Sequence, residues 1–463
     1  MRLRLLQKKN RETVRVERPR IDIDPSSLVA EYSIGPVKYY ILASNNDLTL
    51  KFVEPERPDE DRMNQLLAGI AYPSSPAEEY HLEKARSGYG ILYPLIQDPH
   101  IEEIAFSGPG KSVVVVHKMM TGRWITVDME IGEDEADNIA INMARKAGKL
   151  VSIATPYAEG LTREGHRVSV TLGREISRKG SSLVIRKKPE KPMTLPDLIS
   201  SRMMSPLMAA YLWILVEAQG FNIIVGSMAS GKTTVLQALA GVIPPYQRIV
   251  SIEDTPEIMI SHPNWDPLIA RPRPPGEEIE EVSLEDLLRI ALRRRADHII
   301  VGEVRGREAR LLAQAAASGH GSMTTFHADG PAHAVVRLRL DPISLPPLFL
   351  RVVTSIVHVR KFPVYGGKVK RRIGSITEIV DDELVDVFTW DPADDVFTPS
   401  KPSEVVERSA RLREAWVKLG IPQDSIEAEL EERAQFLEQN TGSTPSQFAS
   451  RLKRFYANKY GVA

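Results

Sequence analysis

The chain has 463 residues, 42% hydrophobic and 26% charged, enough apolar material for two or three domains and too much for a disordered polymer. Its 60 Lys and Arg against 61 Asp and Glu leave a net charge of -1, which argues against a globally basic nucleic-acid binder. With no cysteine, disulfides, thiol nucleophiles, iron–sulfur clusters and Cys-ligated zinc are excluded.

The first 20 residues (MRLRLLQKKNRETVRVERPR) carry eight Lys or Arg and lack the apolar stretch of a signal peptide. This arm reads either as a solvated tail or as a basic segment that touches an anionic membrane surface or a partner. Residues 1–60 are expected to be a leader holding two short strands, Val37–Leu42 and Leu48–Val53, around an Asn45-Asn46-Asp47 turn signal. Residues 61–187 are expected to form an N-terminal α/β domain. It would include a β-branched strand at Val113–His117, a helix at Ala136–Lys149 and paired strands at Arg167–Leu172 and Ser182–Arg186. The run Lys187–Pro196 (KKPEKPMTLP) holds three prolines and four charges, so residues 188–200 are expected to be a linker.

Residues 201–463 read as a second α/β domain with C-terminal helices. A helix is expected at Pro206–Ala218, a buried strand at Phe221–Val225, a helix at Thr234–Ala240 and apolar strands at Arg248–Ile252 and His298–Val301. Strands alternating with helices imply a parallel sheet covered on both faces. The stretch Ser403–Leu437 has helical spacing and is expected to form an αα-hairpin. The longest apolar run, Leu207–Val216, is about half of the ~20 residues a bilayer crossing needs, so a cytoplasmic protein is expected.

Between the buried strand and the next helix lies Gly226-Ser227-Met228-Ala229-Ser230-Gly231-Lys232-Thr233, which matches the phosphate-loop pattern G-x-x-x-x-G-K-[ST]. The glycines let the backbone curl so that its N–H groups point at phosphate oxygens, and the following helix adds its positive end. Lys232 would reach the β- and γ-phosphates of a nucleotide, the Thr233 hydroxyl would hold Mg²⁺, and Thr234 completes the first turn. The next strand ends in Glu253-Asp254-Thr255-Pro256-Glu257. Ligands of open α/β sheets gather at the carboxyl ends of strands, so Glu253, Asp254 and Glu257 are expected to face the phosphates and order the Mg²⁺ shell, or else to terminate and cap the strand.

The strand His298–Val301 runs into Gly302-Glu303. A carboxylate just past an apolar strand fits the position that polarises an attacking water, with a first-turn helix acid as the plainer alternative. Then Ser318-Gly319-His320-Gly321-Ser322-Met323-Thr324-Thr325-Phe326-His327 places two histidines seven apart in a polar segment. His320 and His327 are read as γ-phosphate sensors or hydrogen-bond relays rather than as metal ligands.

The four segments GSMASGKTT, IVSIEDTPEI, IIVGEVRGREA and SGHGSMTTFHA, in this order, resemble the Walker A, Asp box, Walker B and His box of the type II/IV secretion system ATPase superfamily. The likeness is greatest to the archaeal branch that drives pili, adhesion filaments or the archaellum, and it extends through YGILYPLIQDPHIEEIAFSG, GHRVSVTLGREISRKGSSLVIRKK and VFTWDPADDVF. It implies a RecA-like P-loop ATPase C-terminal domain with a smaller α/β N-terminal domain and a helical C-terminal tail. It further implies an ATP- and Mg²⁺-dependent homo-hexamer, peripherally bound at the inner face of the membrane and pushing on a polytopic platform protein. In that family, arginines of the N-terminal domain complete the nucleotide site. Arg167 and Arg178 occupy the matching positions, with Arg174 and Arg186 as competitors. The bacterial four-cysteine zinc module is absent. A motor serving a type IV secretion or conjugation channel is the alternative, and a DNA translocase on the same core is a more distant one.

Overall fold

The structure, a computed structural model, describes residues 25–44, 47–120, 123–271, 280–363 and 369–461. The basic N-terminal arm and the Asn45-Asn46 turn signal lie outside the described residues. The described chain divides into two compact units, the first ending at Lys187 and the second running on from Lys188.

The first unit is built on a nine-stranded sheet. Its strands are β1 (Leu28–Ile34), β2 (Val37–Ser44), β3 (Asp47–Val53), β4 (Ile101–Phe106), β5 (Ser112–His117), β6 (Arg123–Glu130), β7 (Tyr157–Leu161), β8 (Arg167–Thr171) and β9 (Ser182–Arg186). Their spatial order is β1-β2-β3-β6-β5-β4-β9-β8-β7, antiparallel throughout except where β3 meets β6. Residues 28–53 are therefore not a loose leader. Tyr39, Ile41 and Leu50 are fully buried, and the alternation along β2 turns one face into the core. Helices α1 (Glu60–Leu67), α2 (Pro76–Ser87), α3 (Tyr93–Gln97) and α4 (Glu133–Lys146) complete the unit. The last buries Ala136, Ile139, Ala140 and Met143 at three- and four-residue spacing against the inward faces of β7, β8 and β9.

The second unit opens with α5 (Leu195–Ser200), inside the stretch expected to be a linker. Thr194 and Asp197 form a capping box at its start, and Leu195 and Leu198 bury themselves in the core. Next comes α6 (Pro206–Glu217), whose residues from Leu207 onward are all buried. A helix apolar all round needs cover on every side. Here α6 is sandwiched between the sheet domain's own helices and a C-terminal helical layer.

The sheet of this unit is β10 (Phe221–Gly226), β11 (Ile249–Glu253), β12 (Trp265–Ile269), β13 (His298–Glu303), β14 (Gly321–His327), β15 (Val353–Pro363), β16 (Val369–Val380), β17 (Glu383–Asp391) and β18 (Val396–Thr398). The order is β12-β11-β13-β14-β10-β15-β16-β17-β18, with the first six parallel and the last three antiparallel. Strand β15 and the antiparallel strands β16–β18 that follow it were not among the expected strands. In β10, Phe221, Ile223 and Val225 enter one core and Ile224 the other, so the strand is apolar without alternation because both faces are covered. The covering helices are α7 (Lys232–Ala240), α8 (Leu284–Ala291), α9 (Glu308–Ala317), α10 (Pro331–Arg339) and α11 (Pro347–Leu350). The tail is longer than the expected hairpin and holds α12 (Pro402–Arg408), α13 (Ala410–Leu419), α14 (Ile426–Gln439) and α15 (Pro445–Tyr460). The result is a mixed α/β, RecA-like unit with a helical C-terminal region, preceded by a smaller α/β unit.

Candidate nucleotide site

Four neighbouring parallel strands end in Glu253 (β11), Glu303 (β13), His327 (β14) and Gly226 (β10), so the fold lines these residues up along one carboxyl edge of the sheet. Gly226 is required there. A Cβ on it would meet the Val359 carbonyl oxygen at 2.3 Å, and its φ of +157° lies outside the usual range of other residues. Gly231, at φ +104°, ends the loop as the N-cap of α7. The first-turn N–H groups of a helix have no intrahelical partner, so the loop and the start of α7 present donors to an anion. The buried Ser230 hydroxyl has no hydrogen-bond partner and adds one more polar group to this cradle.

Lys232 is buried at the start of α7. Its ammonium donates to the carbonyls of Gly226 and Ser227, each at 3.0 Å, and lies 3.2 Å from His327 Nδ1. Burial pushes its pKa down, while the Glu303 carboxylate opposes that shift. The other ring nitrogen of His327, Nε2, lies 3.1 Å from Glu303 Oε1, although off the direction of a hydrogen bond. Glu303 Oε2 in turn accepts from Arg305 at 2.7 Å. A Lys–His–Glu–Arg line thus crosses the ends of β10, β14 and β13. The contact with Lys232 requires Nδ1 of the His327 ring to be the acceptor, which leaves Nε2 protonated toward Glu303.

His320 is not part of this line. It precedes β14 at the amino end of the strand, and its Nδ1 pairs with the Ala296 carbonyl at 2.8 Å. The seven-residue spacing to His327 spans the strand from one edge of the sheet to the other, so within this chain His320 lies at the opposite edge from the loop.

Glu253 is buried, and its Oε1 accepts the backbone N–H groups of Glu257 and Ile258, each at 2.9 Å. Burial outweighs those bonds and raises its pKa to about 7. It therefore organises the turn that carries Asp254 and Glu257. Asp254 is exposed just beyond the strand, and its charge is felt by Arg305, Glu308 and Glu303. The Glu257 carbonyl accepts from Gln237 of α7 at 3.0 Å, which ties the turn to the phosphate-loop helix. Ser227, Met228 and Ala229 are exposed on the loop, and Thr233 and Thr234 lie in the first turn of α7, where Thr234 is half-buried.

Several residues of this edge escaped the sequence reading. Glu308 Oε1 accepts the N–H groups of Arg305 and Gly306 at 2.5 and 2.7 Å, and so shapes the turn that follows Glu303. Arg337 of α10 donates to the His327 carbonyl and stacks its guanidinium 4.9 Å from the Phe326 ring. A cleft of about 380 Å³ lies between Gly226–Met228, His327–Asp329 and the α10 residues His333, Val336 and Arg337, within the size range of small-molecule sites. A helical spacing of charges gives no hint that α10 lines a cleft, so no sequence signal would have found Arg337.

The family comparison agrees with this geometry. Residues 165–343, which hold all of these segments, match the family described as Type II/IV secretion system protein. An uncharacterized protein of Methanocaldococcus jannaschii is 42% identical over 266 residues, covering 56% of this chain and 95% of its own length. The chain belongs to the type II/IV secretion system protein family. A second uncharacterized M. jannaschii protein is 38% identical over 370 residues, covering 78% of this chain and 65% of its own length, so the chain spans just under two thirds of that relative. A Mycobacterium tuberculosis protein named for conjugal transfer is 30% identical over 294 residues, covering 60% of this chain and 82% of its own length.

Of the family's expected N-terminal arginines, each can be placed within the first unit. Arg167 opens β8, exposed, and stands directly opposite Arg186 of β9. Arg178 is not on a strand; it sits in the connection between β8 and β9, and the strand pairing runs from Arg167 to Thr171 before that connection begins. That separation is about 13 Å at strand rise. Arg174 is engaged by Glu133 at 2.9 Å. The connection from Thr171 to Ser182 keeps Arg178 off the paired strands that hold Arg167 and Arg186.

Proposed function

We propose that the chain is a Mg²⁺-dependent ATP-hydrolysing motor of the secretion ATPase type. The observation that carries this reading is the placement of Lys232, His327 and Glu303 in one line across the ends of three strands beside a phosphate loop. The cradle fits a nucleotide: Gly226 and Gly231 keep the loop free of side-chain bulk, and Lys232, Ser230 and Thr233 supply donors to phosphate oxygens. Bound Mg²⁺ would neutralise phosphate charge, held by Thr233 and mostly by the nucleotide itself. In this reading Lys232 leaves the Gly226 and Ser227 carbonyls for the phosphates. Glu303 orients a water whose oxygen attacks the terminal phosphorus, and it draws off the proton as the bond to the ADP oxygen breaks, giving ADP and phosphate. Asp254, with Glu253 shaping its turn, would order the metal's waters.

Arg167 and Arg178 are the arginines that the family resemblance would bring to phosphate, with Arg174 and Arg186 as competitors, because a guanidinium forks onto phosphate oxygens. The motor would work as a homo-hexamer at the cytoplasmic face of a membrane, pushing on a polytopic platform protein to assemble a type IV pilus-like filament or to drive type II-like secretion. The basic N-terminal arm would touch anionic lipid. Among the described residues no helix is long and apolar enough to cross a membrane. The relative named for conjugal transfer favours a second reading, a motor for a type IV secretion or conjugation channel.

The test is steady-state ATPase activity of the parent and of Glu303→Gln, with oligomer mass measured with and without Mg²⁺·ATP. Turnover that falls by orders of magnitude in the variant, with nucleotide binding kept and a hexamer present, supports the motor. Full turnover in the variant removes Glu303 from the chemistry.

A further inference from the structure

We propose that Arg371, carried by the antiparallel strand β16 rather than by the phosphate loop, is a phosphate ligand of the bound nucleotide. The inference rests on the nucleotide reading above and adds a residue to that same site.

Three consecutive basic residues, Lys370-Arg371-Arg372, lie in β16. Successive residues of a strand point to opposite sides, so the outer two share a direction and the middle one faces away. Asp395 neutralises the outer two. Its carboxylate takes Lys370 Nζ at 2.9 Å and Arg372 through Nε and an Nη at 2.8 and 2.9 Å, and Trp390 Nε1 adds a bond at 3.0 Å. These bonds hold the Asp395 pKa well below the usual carboxylate range, with Arg372 the main cause. The strand around Arg371 is therefore anchored.

Arg371 itself has no such partner. Its Nε reaches the Ala229 carbonyl of the phosphate loop at 3.4 Å, and its Cδ lies 3.7 Å from where a Cβ on Gly231 would stand. Among the described residues no carboxylate pairs with it. A long bond to a neutral carbonyl uses one of five guanidinium donors and leaves the charge uncompensated. A cation held against an anion-binding loop, with its fork unused, is suited to a phosphate, which takes two parallel N–H bonds.

The topology adds a second argument. The strand that carries the loop, β10, lies between β14 and β15, and β15 pairs with β16. His327 reaches the loop from the β14 side and Arg371 from the β16 side. Near Gly231 the same space is bounded by Met203 Cε and Thr234 Oγ1, at 3.2 and 4.0 Å from that Cβ position. Arg371 thus approaches over the first turn of α7, away from the Glu303 end where the terminal phosphate would react. Its contact belongs to a phosphate that ATP and ADP share.

A merely structural Arg371 would cap the Ala229 carbonyl, and Arg371→Gln separates the two roles because its amide still donates while the charge is gone. Calorimetric titration of the full chain with Mg²⁺·ADP and Mg²⁺·ATP would be run for the parent, Arg371→Gln, Arg371→Ala, Arg371→Lys and Lys232→Ala, with nucleotide-free melting temperatures alongside. The expected result is a loss of about tenfold in affinity for both nucleotides in the Gln and Ala variants, the size of one charged hydrogen bond, with Lys intermediate and melting temperatures unchanged. Unchanged ADP affinity in the Gln and Ala variants, while Lys232→Ala abolishes binding, would overturn the inference and leave the nucleotide reading intact. A loss confined to ATP would overturn it too. If Lys232→Ala binds ADP as the parent does, the nucleotide reading itself falls and takes Arg371 with it.

Discussion

The ammonium of Lys232 lies 3.2 Å from Nδ1 of His327, so the phosphate-loop lysine meets a histidine from a different strand before any anion arrives. Such closeness needs a neutral imidazole. Burial, with Lys232 as the next cause, holds the His327 pKa below its ordinary 6.5.

That displacement has a definite sign. Just below pH 6.5 the unfolded chain takes up a proton on His327 that the folded chain refuses, so stability falls as pH falls through this window and is fully present above it. A protonated ring would also lose the acceptor that faces Lys232 and push the ammonium away. His327→Gln keeps a side chain able to accept and donate, and is expected to flatten the acid limb of a melting-temperature profile measured from about pH 7.5 down to about pH 5. An acid limb identical to the parent's would mean that another group controls it.

The two histidines of the polar segment should behave differently. Because His320 faces the Ala296 carbonyl at the far edge of the sheet, His320→Gln is expected to keep ATP turnover within about twofold of the parent. His327→Ala, which cuts the link between Lys232 and Glu303, is expected to lower turnover by about 100-fold, the scale of a lost acid–base or positioning group. Parallel kinetics on the two variants decide the matter, and an equal loss in both would contradict the placement given to His320.

Glu253 supplies a pH effect of the opposite direction. Its carboxyl is raised to about 7 in the fold, so the folded chain holds a proton that the unfolded chain has released above the ordinary value of 4.5. Its contribution to stability is complete below that value and is lost as pH rises through about 7. Glu253→Gln keeps a carbonyl oxygen for the N–H groups of Glu257 and Ile258 without a charge to bury. Relative to the parent it should gain about 2 kcal/mol between about pH 5 and about pH 8 in denaturant titrations, because each tenfold change in proton affinity is worth about 1.4 kcal/mol and residual solvent removes part of it. A difference that does not change with pH would mean Glu253 ionises freely.

The sequence made the parallel half of the second unit legible because both-face burial leaves uninterrupted runs such as Phe221–Val225, and the phosphate loop follows one of them directly. Glu253, Glu303 and His327 were found because polar side chains at strand ends stand out against apolar neighbours. The strands of residues 353–398 were less visible: His358, Arg360 and Glu378 interrupt the pattern, and Glu378 is buried only because Ser409, Tyr211 and the start of α13 satisfy it. Contacts between distant segments, such as Arg337 with His327 or Arg371 with Ala229, depend on topology and carry no local signature. The second half of the expected linker is helical for a local reason, the Thr194–Asp197 capping box, which carried less weight in the sequence than the prolines around it.

The C-terminal helices are fastened by a buried charge. Arg433 of α14 and Glu217 of α6 meet at 2.5 Å with side chains 0% and 3% exposed. Around them Tyr460 donates to Glu217 at 2.5 Å, Trp213 Nε1 donates to the Tyr456 hydroxyl at 2.7 Å, and the Arg433 guanidinium stacks 4.6 Å from the Trp213 ring. Removing one partner strands the other charge without water, which costs about 3–5 kcal/mol, whereas replacing both with apolar groups of similar volume is far milder. Arg433→Met should therefore destabilise strongly, and the double change Arg433→Met with Glu217→Leu should recover most of the loss. Because α6 is buried beneath this layer, the single variant should also make α14 and α15 more open to hydrogen exchange, ahead of the sheet. Chemical denaturation of the two variants, with exchange measured on the single one, tests the pair. Equal stability of single variant and parent would show that the ion pair does not fasten the layer.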